Sequence, residues 1–353
     1  MSKKTFKINN FLVEIIVPIL TVFIVALLIL LHQKHLVTTD PVPENVFIVP
    51  LEIAEVSSSF SIIKTGFILS GVPLVNPKDN EFVVEGFLWF EYDPARISLE
   101  NISKFSVMNG DIEYKSEPKV EVRGNNLLVK YLVKIRFSSK LDYSLFPFDN
   151  HRIYFTLINR FFNPHETTYV TTKTNFVVPK NISIPGWEIT GHQVVFGTSP
   201  KIESLGDLYE TYPQVIFILE LQKNSLGTIF TIIVPLFIMF LIALASILQT
   251  SVIRGGYGKE NFNWNHYNVS IGNLAAVLAY RFVIQTLSPE VGYLTVCDYF
   301  YIFVLCAAVV SLIMPFVAIY VSYKISRIIS CSLIVFLNVI LIVMTYYLLF
   351  VRL

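Results

Sequence analysis

The sequence has little charge, few cysteines and none of the short motifs that bind phosphate or zinc. Only 15% of its 353 residues are charged and the net charge is +1, so we expect no nucleic-acid partner. All three cysteines, Cys297, Cys306 and Cys331, fall in hydrophobic stretches near the end of the chain, which argues against a disulfide framework elsewhere. The six histidines form no His-Glu-x-x-His pattern, and no glycine-rich phosphate loop is present. We therefore expect no metal site, no cofactor, no catalytic residues and no enzymatic activity.

Hydrophobic residues are abundant instead. They make up 54% of the chain and the mean hydropathy is +0.59, which is more apolar than a soluble domain requires. A helix needs about 20 apolar residues to cross a bilayer. Five segments meet this condition: 11–31, 226–248, 269–287, 299–321 and 331–350. Glu14 and Arg281 are the only charged residues within them. The sequence therefore predicts an integral membrane protein with one isolated helix and four clustered ones.

The isolated first segment has two interpretations. Lys3, Lys4 and Lys7 precede it, as in a secretory signal peptide. Its apolar run is long for such a peptide, however, and His32-Gln33-Lys34-His35 follows it instead of a small-residue cleavage site. We favour a retained transmembrane anchor over a cleaved signal.

Basic residues beside the helices predict the orientation in the plasma membrane, or in the inner membrane if the protein is bacterial. They form three clusters: Lys3 to Lys7, Arg254 with Lys259, and Lys324 with Arg327. Alternation of the crossings places all three clusters on the cytoplasmic side. The N terminus is then cytoplasmic, whereas segment 32–222, loop 288–298 and the C terminus are extracytoplasmic.

The long outer segment reads as a succession of β-strands. In 127–137 the residues Val129, Tyr131, Val133, Ile135 and Phe137 share one face, and basic residues lie on the other, which is typical of a half-buried antiparallel strand. Four more segments behave similarly: 82–92, 152–158, 187–196 and 214–221. Turn residues at 76–80 and 124–126 separate strands. Strands at this spacing predict a single β-sandwich.

A Phe146-Pro147-Phe148-Asp149 motif stands just before one of these strands. Further motifs follow along the chain: Gly186-Trp187, the strand 213–221 with Lys223 after it, Pro235, Leu278-Ala279-Tyr280, Pro289, Tyr293-Leu294-Thr295 and Asp298. Each alone has an ordinary interpretation, such as a β-turn with proline at its second position or a tolerated helix kink. In this order and spacing, over residues 46–353, the chain resembles the pentameric ligand-gated ion channels of the Cys-loop receptor superfamily. It is similar to prokaryotic members, because the two cysteines that flank this motif in eukaryotic members are absent.

The resemblance implies a fold and an assembly. The expected fold class is a membrane protein with an all-β, immunoglobulin-like extracellular sandwich, a four-helix transmembrane bundle and one extra N-terminal transmembrane helix. The expected domains are 1–36, the N-terminal tip and anchor; 37–223, the ligand-binding sandwich; and 224–353, the pore domain. The expected assembly is a homopentamer in the lipid bilayer. Protons or an unknown small-molecule ligand would open it to inorganic ions.

The resemblance also implies which residues couple the outer domain to the pore. They are Pro147, Phe148, Asp149, Lys223, Pro289 and Tyr293. Asp149 and Lys223 are expected to form an ion pair, which would either transmit motion or only fix the outer domain on its base. Pro147 and Phe148 are expected to pack against residues 289–293.

Six residues would line the pore by the same resemblance: Asn268, Gly272, Ala275, Ala279, Phe282 and Thr286. Their spacings of three and four put them on one helical face, which is also the pattern of an ordinary buried stripe. Small residues occupy the middle of this face, where the family usually has bulky aliphatic gates, so Phe282 would form the narrowest apolar ring. Trp264, Asn265 and His266 stand where cation-selective members carry an acidic ring, and segment 249–267 is longer than the usual inner turn. Ion selectivity is therefore open.

Arg281 lies inside a predicted membrane helix, where a charge is costly unless it faces water or a partner. It is either a functional residue or a side chain that extends from near the helix end to the membrane surface. The sequence does not decide between these two roles.

The ligand site implied by the resemblance is aromatic. It would contain Phe161, Phe162, Tyr209 and Tyr212 beside the hairpin tip 199–207, with Trp89 contributed by the neighbouring subunit. Aromatic faces attract organic cations. Clustered aromatic residues also form ordinary cores.

Two functions are compatible with these features. The first is a ligand- or proton-gated pentameric channel. The second is a non-conducting membrane receptor or scaffold that keeps the channel fold. The intact coupling motifs favour the first, whereas the unusual pore face and the extra helix favour the second.

Overall fold

The computed structural model describes residues 16–34, 40–41, 61–199, 202–203, 209–224, 226–252 and 264–351. The described residues belong to two compact units. A helical unit contains 16–34, 143–149, 226–252 and 264–351. A β unit contains the described residues of 40–142 and 150–224.

Thirteen strands occur in the described part of the β unit. They are β1 (Ser61–Asn76), β2 (Glu81–Tyr92), β3 (Ser106–Val107), β4 (Gly110–Lys115), β5 (Lys119–Arg123), β6 (Asn126–Ser138), β7 (Asn150–Ile158), β8 (Thr167–Val170), β9 (Phe176–Val177), β10 (Trp187–Thr198), β11 (Ile202–Glu203), β12 (Tyr209–Glu210) and β13 (Pro213–Lys223). The first sheet has the order β4-β6-β2-β1-β8, with β5 paired to β6 and β9 paired to β1. The second sheet has the order β10-β13-β7-β3, and β11 pairs with β12.

Strand β6 has the alternation that its sequence predicts. Val129, Tyr131, Val133 and Ile135 are fully buried. On the other face, Lys130 pairs with Glu121, Lys134 with Glu113, and Arg136 with Glu81 and Glu113. The predicted strands 82–92, 152–158, 187–196 and 214–221 are confirmed as β2, β7, β10 and β13.

Strand β1 was not predicted, although it has 16 residues. Glycines interrupt its apolar run, and Gly66 is required by packing. A Cβ atom at Gly66 would lie 2.4 Å from the Asn175 carbonyl oxygen and 2.5 Å from the Trp89 ring. The close approach of Trp89 thus explains why glycine occupies the interior of this strand.

Aromatic side chains from both sheets form the core of the β unit. The Phe67 ring, on β1, lies 5.2 Å from that of Phe155 on β7 and 5.7 Å from that of Phe217 on β13. The Phe137 ring, on β6, lies 5.6 Å from Phe155. These separations are those of favourable ring pairs, so the cluster joins the two sheets without any disulfide.

The helices, numbered along the whole chain, are α1 (Val17–Lys34), α2 (Leu99–Ser103, in the β unit), α3 (Leu226–Val252), α4 (Trp264–Leu287), α5 (Val296–Tyr320) and α6 (Tyr323–Tyr346). A π-helical turn, Tyr347–Val351, follows α6. Helices α3 to α6 are each long and apolar enough to cross a membrane, and they make the chain a multi-pass membrane protein.

Two expectations about the helix ends are corrected. Lys324 and Arg327 lie in the first turns of α6 and not in a loop, because the helix begins at Tyr323, before the apolar run. The expected inner loop 249–267 is also shorter, since α3 continues to Val252 and α4 begins at Trp264. The rest of that loop, 253–263, lies outside the described residues.

Helix α1 packs against α6 in the helical unit. One stripe of its side chains is buried: Pro18, Thr21, Val25, Ile29 and His32. The opposite side exposes large apolar residues such as Ile19, Phe23 and Leu30. Its apolar stretch, Val17–His32, is shorter than the four long helices, and residues 11–15 of the predicted span lie outside the described residues. A crossing by α1 therefore stays a prediction.

Candidate functional site

The loop 143–149, which contains the Phe-Pro-Phe-Asp motif, belongs to the helical unit. Two turns shape it: the Phe146 N–H donates to the Tyr143 carbonyl at 3.0 Å, and the Phe148 N–H donates to the Leu145 carbonyl at 2.8 Å. Pro147 is thus the third residue of the second turn, not the second residue as the simple turn interpretation expected. Pro147, Phe148 and Asp149 are all buried.

This loop caps the N terminus of α5. The first N–H groups of a helix have no partner within it. Here the Val296 N–H donates to the Ser144 carbonyl and the Cys297 N–H to the Phe146 carbonyl, each at 3.0 Å. The Asp298 N–H donates to Thr295 Oγ1 at 3.3 Å. Backbone atoms of the loop therefore bond directly to a membrane-spanning helix.

Arg281 of α4 has a partner at the same helix end. Its guanidinium forms an ion pair with Asp298 Oδ1 at 2.5 Å, and it lies 5.3 Å from the centre of the Tyr301 ring. Asp298 Oδ2 also accepts the N–H of Thr295 at 2.9 Å and its hydroxyl at 2.8 Å, which completes a capping box. Arg281 therefore links the end of the predicted pore helix to the start of the next helix.

The segment between α4 and α5 carries two of the predicted coupling residues. The Tyr143 N–H of the loop donates to the Tyr293 hydroxyl at 2.8 Å, and Pro289 is buried. Both Pro289 and Tyr293 line a cavity of about 870 Å³, together with Arg281 and Asp298. The loop 143–149 thus reaches this segment through a hydrogen bond; the expected packing of Pro147 and Phe148 on 289–293 stays a prediction.

Phe148 instead has a described contact with α1. Its ring lies 6.5 Å from the His32 ring, in an edge-on arrangement, and His32 lies 5.8 Å from Phe350 after α6. His32 is 3% exposed. The N-terminal helix, which lay outside the family resemblance, therefore contacts the loop 143–149.

The two members of the predicted ion pair belong to different units, Asp149 to the helical unit and Lys223 to the β unit. Asp149 is only 2% exposed, at the end of the loop. Lys223 ends β13, opposite Trp187 of β10, and its ammonium lies 5.7 Å from the Trp187 ring centre. Direct pairing of Asp149 with Lys223 stays a prediction.

All six predicted pore residues lie on the exposed side of α4. Asn268, Gly272, Ala275, Ala279 and Thr286 are exposed, and the Phe282 side chain is 73% exposed. The buried positions are Ser270, Asn273, Val277 and Ile284, which lie on the opposite side of the helix. The stripe is thus not buried within this chain, which disfavours the interpretation as an ordinary core stripe.

Polar contacts orient the buried side of α4. The hydroxyls of Ser270 and Ser246 are hydrogen-bonded at 2.5 Å, and the Asn273 side-chain amide donates to the Met239 carbonyl at 3.1 Å. Tyr280 donates to the Thr231 carbonyl. Such bonds hold helices together where lipid supplies no hydrophobic driving force. They set which side of α4 faces away from α3 and α5.

The β unit contains a second cavity, of about 400 Å³, at the predicted ligand site. It is lined by Phe161, Phe162 and Tyr212 together with Arg160, His165 and Glu210. This volume is in the range that small-molecule sites occupy. Three of the five predicted ligand residues are therefore brought to one cavity.

The cavity is more polar than the predicted aromatic box. The Tyr212 hydroxyl donates to the Glu210 carboxylate, which raises the pKa of Tyr212. The Lys104 ammonium lies 4.7 Å from the Phe161 ring centre, so one face of the Phe161 ring is in contact with a cation of the chain itself. Phe162 is 7% exposed and serves mainly as core. Arg160 and Glu210 offer one charge of each sign.

Of the other two predicted ligand residues, one lies elsewhere and the other lies outside the described side chains. Trp89 lies on β2 opposite Gly66 and does not line it. Tyr209 lies in β12, and its side chain is outside the described part of the chain. The role of Trp89 across a subunit boundary stays a prediction.

Several site residues were missed by sequence reasoning. Tyr143 and Ser144 act through backbone atoms, which leave no residue-type signal, and Phe146, named before only as part of the motif, also acts through its carbonyl. Arg160 could have been found, because it directly precedes Phe161. Asp298 was named only as a motif residue. It pairs with Arg281, which lies 17 positions earlier in the sequence and in a different helix. In the described part of the chain, no group of three His, Cys, Asp or Glu residues could hold a metal.

No protein-family model and no curated protein matches this chain. Its function is therefore inferred from the contacts of its own residues.

Proposed function

We propose that the chain is a subunit of a pentameric, ligand- or proton-gated ion channel in the plasma membrane. Its two sheets form one extracytoplasmic sandwich, α4 lines the pore, and α1 is a fifth crossing that places the N terminus in the cytoplasm. Binding in the outer domain shifts the channel between closed and open states by its differential affinity for them.

The face of α4 carries this proposal. Among the four long helices, α4 is the least apolar and the least buried within the chain. On its exposed side, a row of small and polar residues runs from Asn268 to Thr286, with Phe282 as its one large apolar member, and exposed apolar residues such as Ile271 and Val283 lie on either side of this row. A helix side that faced lipid throughout would carry large apolar groups along this row as well, as the exposed side of α1 does. A water-filled pore between copies of the chain accounts for this row.

The loop 143–149 supports the coupling part of the proposal. Its carbonyls accept the first N–H groups of α5, and its backbone bonds to Tyr293. A displacement of the loop would therefore pull on the segment that joins the pore helix to α5. The ligand-sized cavity at Phe161 and Tyr212 is the proposed site of binding, and Arg160 and Glu210 favour a small polar ligand.

The second function is a non-conducting receptor or scaffold with the same fold. The contact of His32 with Phe148 favours it, because α1 could carry a signal from the loop without any ion flow. The two functions differ in one observable, which is current.

The test is purified full-length protein in planar bilayers under a salt gradient, across a range of pH and a panel of small polar ligands. We expect ion-selective unitary currents. The Phe282→Ala variant should raise the unitary conductance, because it removes the bulky ring from the pore. Leu278→Ala, at an exposed position off the row, is the matched control and should leave conductance unchanged. Silence of the wild-type protein in a verified oligomer would favour the receptor or scaffold.

A further inference from the structure

A carboxylate from the N-terminal segment lies at the base of the loop 143–149. Asp40 follows the end of α1 by six residues, and its side chain is 0% exposed. Its Oδ1 accepts the backbone N–H of Asp142 at 2.6 Å, and its Oδ2 accepts that of Arg152 at 2.6 Å. The Nδ1 atom of His151 lies 3.1 Å from Oδ2. One side chain therefore bonds to residues before and after the loop.

The hydrogen bonds that the Asp40 carboxylate accepts belong to a strong class. An ionised carboxylate only accepts hydrogen bonds, and charge-assisted bonds to backbone N–H groups are about twice as strong as neutral ones. Such a charge is tolerated in the interior only when it is well paired. His151 is itself 1% exposed, so its bond to Asp40 is shielded from water.

The edge of β7 leaves a place for Asp40. Within the described strands, β3 pairs with β7 only at Leu157 and Ile158. At Arg152 the N–H group is instead satisfied by the Asp40 carboxylate. Asp40 thus completes the start of the strand that leads out of the loop.

We infer that Asp40 is a positioning residue that holds the two flanks of loop 143–149 together. We name its bonds to Asp142, His151 and Arg152 the Asp40 clasp. A covalent cross-link between the flanks would impose the same constraint, but neither flank of this loop contains a cysteine. The clasp keeps the two backbone nitrogens within the span of one carboxylate, and so sets the geometry from which the loop caps α5. Its effect on gating rests on the proposed channel function.

The N-terminal segment contacts both the loop 143–149 and its flanks. His32 contacts Phe148 of the loop, and eight residues later Asp40 binds the loop's flanks. The N-terminal segment therefore contacts the loop through an aromatic ring and secures its base through a carboxylate.

Hydrogen exchange at single amides of the purified full-length protein tests the clasp without any current. We expect the Asp142 and Arg152 amides to exchange slowly in the wild-type protein. In Asp40→Ala both should exchange about tenfold faster or more, because each loses a bond to a charged group. Asp40→Glu should restore part of the protection. Asp111→Ala, which removes an exposed carboxylate of the same unit, is the matched control and should change neither amide.

Unitary currents in proteoliposome patches, at one pH and one voltage, test the positioning role. We expect Asp40→Asn to lower the open probability by about fivefold or more, the scale of a typical coupling between sites, and to leave the unitary conductance unchanged. A purely structural role would lower the amount of assembled protein but not the open probability of each channel. If Asp40→Ala does not assemble, Asp40→Asn and Asp40→Glu serve for both measurements.

The clasp is overturned if both wild-type amides exchange as unprotected groups, or if Asp40→Ala leaves them slow. The positioning role is overturned if exchange quickens while open probability is unchanged. Silence of the wild-type protein would instead contradict the proposed channel function, and exchange alone would then decide the clasp.

Discussion

At the scale of single residues, the ion pair of Arg281 with Asp298 shows what this charge within a helix contacts. The sequence allowed either a functional charge or a side chain that reaches the membrane surface. Its guanidinium meets Asp298, whose side chain is 10% exposed and which also forms the capping box with Thr295. Removing one member of such a pair leaves the other charge poorly compensated.

We therefore predict that Arg281→Gln lowers the free energy of unfolding by roughly 1–3 kcal/mol. Asp298→Ala should cost more, because it also removes the cap of α5. Thermal stability of the purified oligomer in detergent measures both. Lys104→Gln, which breaks the exposed pair with Glu100, is the control and should cost less than about 1 kcal/mol. Equal, small losses for all three variants would contradict this account.

The predicted Asp149–Lys223 pair is tested by exchanging the two charges. Asp149 is buried, so we expect Asp149→Lys and Lys223→Asp each to reduce assembly, and the double variant to recover it. Size-exclusion chromatography of the oligomer measures the outcome. Exchange of the exposed pair Glu100 and Lys104 should leave assembly unchanged in every combination. Failure of the double variant to recover would refute direct pairing.

His192 on β10 adds a pH dependence to the β unit. Burial lowers the pKa of His192, Lys173 lowers it further, and Glu220 partly opposes them. The unfolded chain, with an ordinary histidine pKa of about 6.5, then binds more protons than the folded one as pH falls below that value. The contribution to stability is present above the ordinary pKa and is lost as pH falls toward the lowered one.

We predict that His192→Gln makes the loss of stability below about pH 6.5 shallower. Thermal unfolding at a series of pH values measures it. The exposed His165→Gln variant should leave the slope unchanged. A steeper slope in His192→Gln would show that the folded state favours the charged ring.

At the scale of elements, α4 is divided into two faces by its neighbours. Ser270 and Asn273 bond to α3, and Ser270 also bonds to the Ser311 carbonyl of α5 at 3.3 Å. These bonds turn the row of predicted pore residues away from the rest of the chain. The hydrophobic pattern alone could not do this, because both faces of α4 contain apolar residues.

Cysteine substitution along α4 checks this division, after the native cysteines are replaced. We predict that Gly272→Cys, Ala275→Cys and Ala279→Cys react with a water-soluble thiol reagent in assembled protein, because they face water in the pore. Asn273→Cys and Val277→Cys, at buried positions, are the controls and should react at least tenfold more slowly, the fold change that corresponds to about 1.4 kcal/mol of protection. Reaction at the buried positions alone would place the pore on the other face.

At the scale of the whole molecule, the chain combines a β-rich unit with four helices that are long and apolar enough to cross a membrane. The positive charges beside the helices predict which side each connection occupies. Lys180 and Lys324 are both exposed and belong to different units, so labels at these two positions test the predicted orientation.

We predict that Lys180→Cys, in a background without native cysteines, reacts with a membrane-impermeant maleimide in intact cells. Lys324→Cys should react only after the membrane is opened. Labelling of both in intact cells, or of neither, would contradict the proposed orientation. Release of the protein from membranes without detergent would contradict membrane insertion itself.

Elements whose residue pattern reflects local burial were predictable from the amino-acid order alone. The five apolar segments and the alternation of β6 are visible because lipid and core each demand apolar residues at a fixed spacing. Strand β1 was not predicted, because glycine at position 66 is required by the close Trp89 ring, which is far away in the sequence, and not by its neighbours in the chain. The Phe-Pro-Phe-Asp motif drew attention to the loop 143–149 but did not predict which residues contact it.

The contacts between residues far apart in the chain were known only once the fold was seen. The bonds of the loop to α5 use backbone carbonyls, which every residue has. The Arg281–Asp298 and Asp40–His151 pairs join residues 17 and 111 positions apart. Hydrogen bonds and ion pairs act over a few ångströms in space. The number of residues between two positions in the sequence does not predict that distance, so these pairs could not be found before the fold was known.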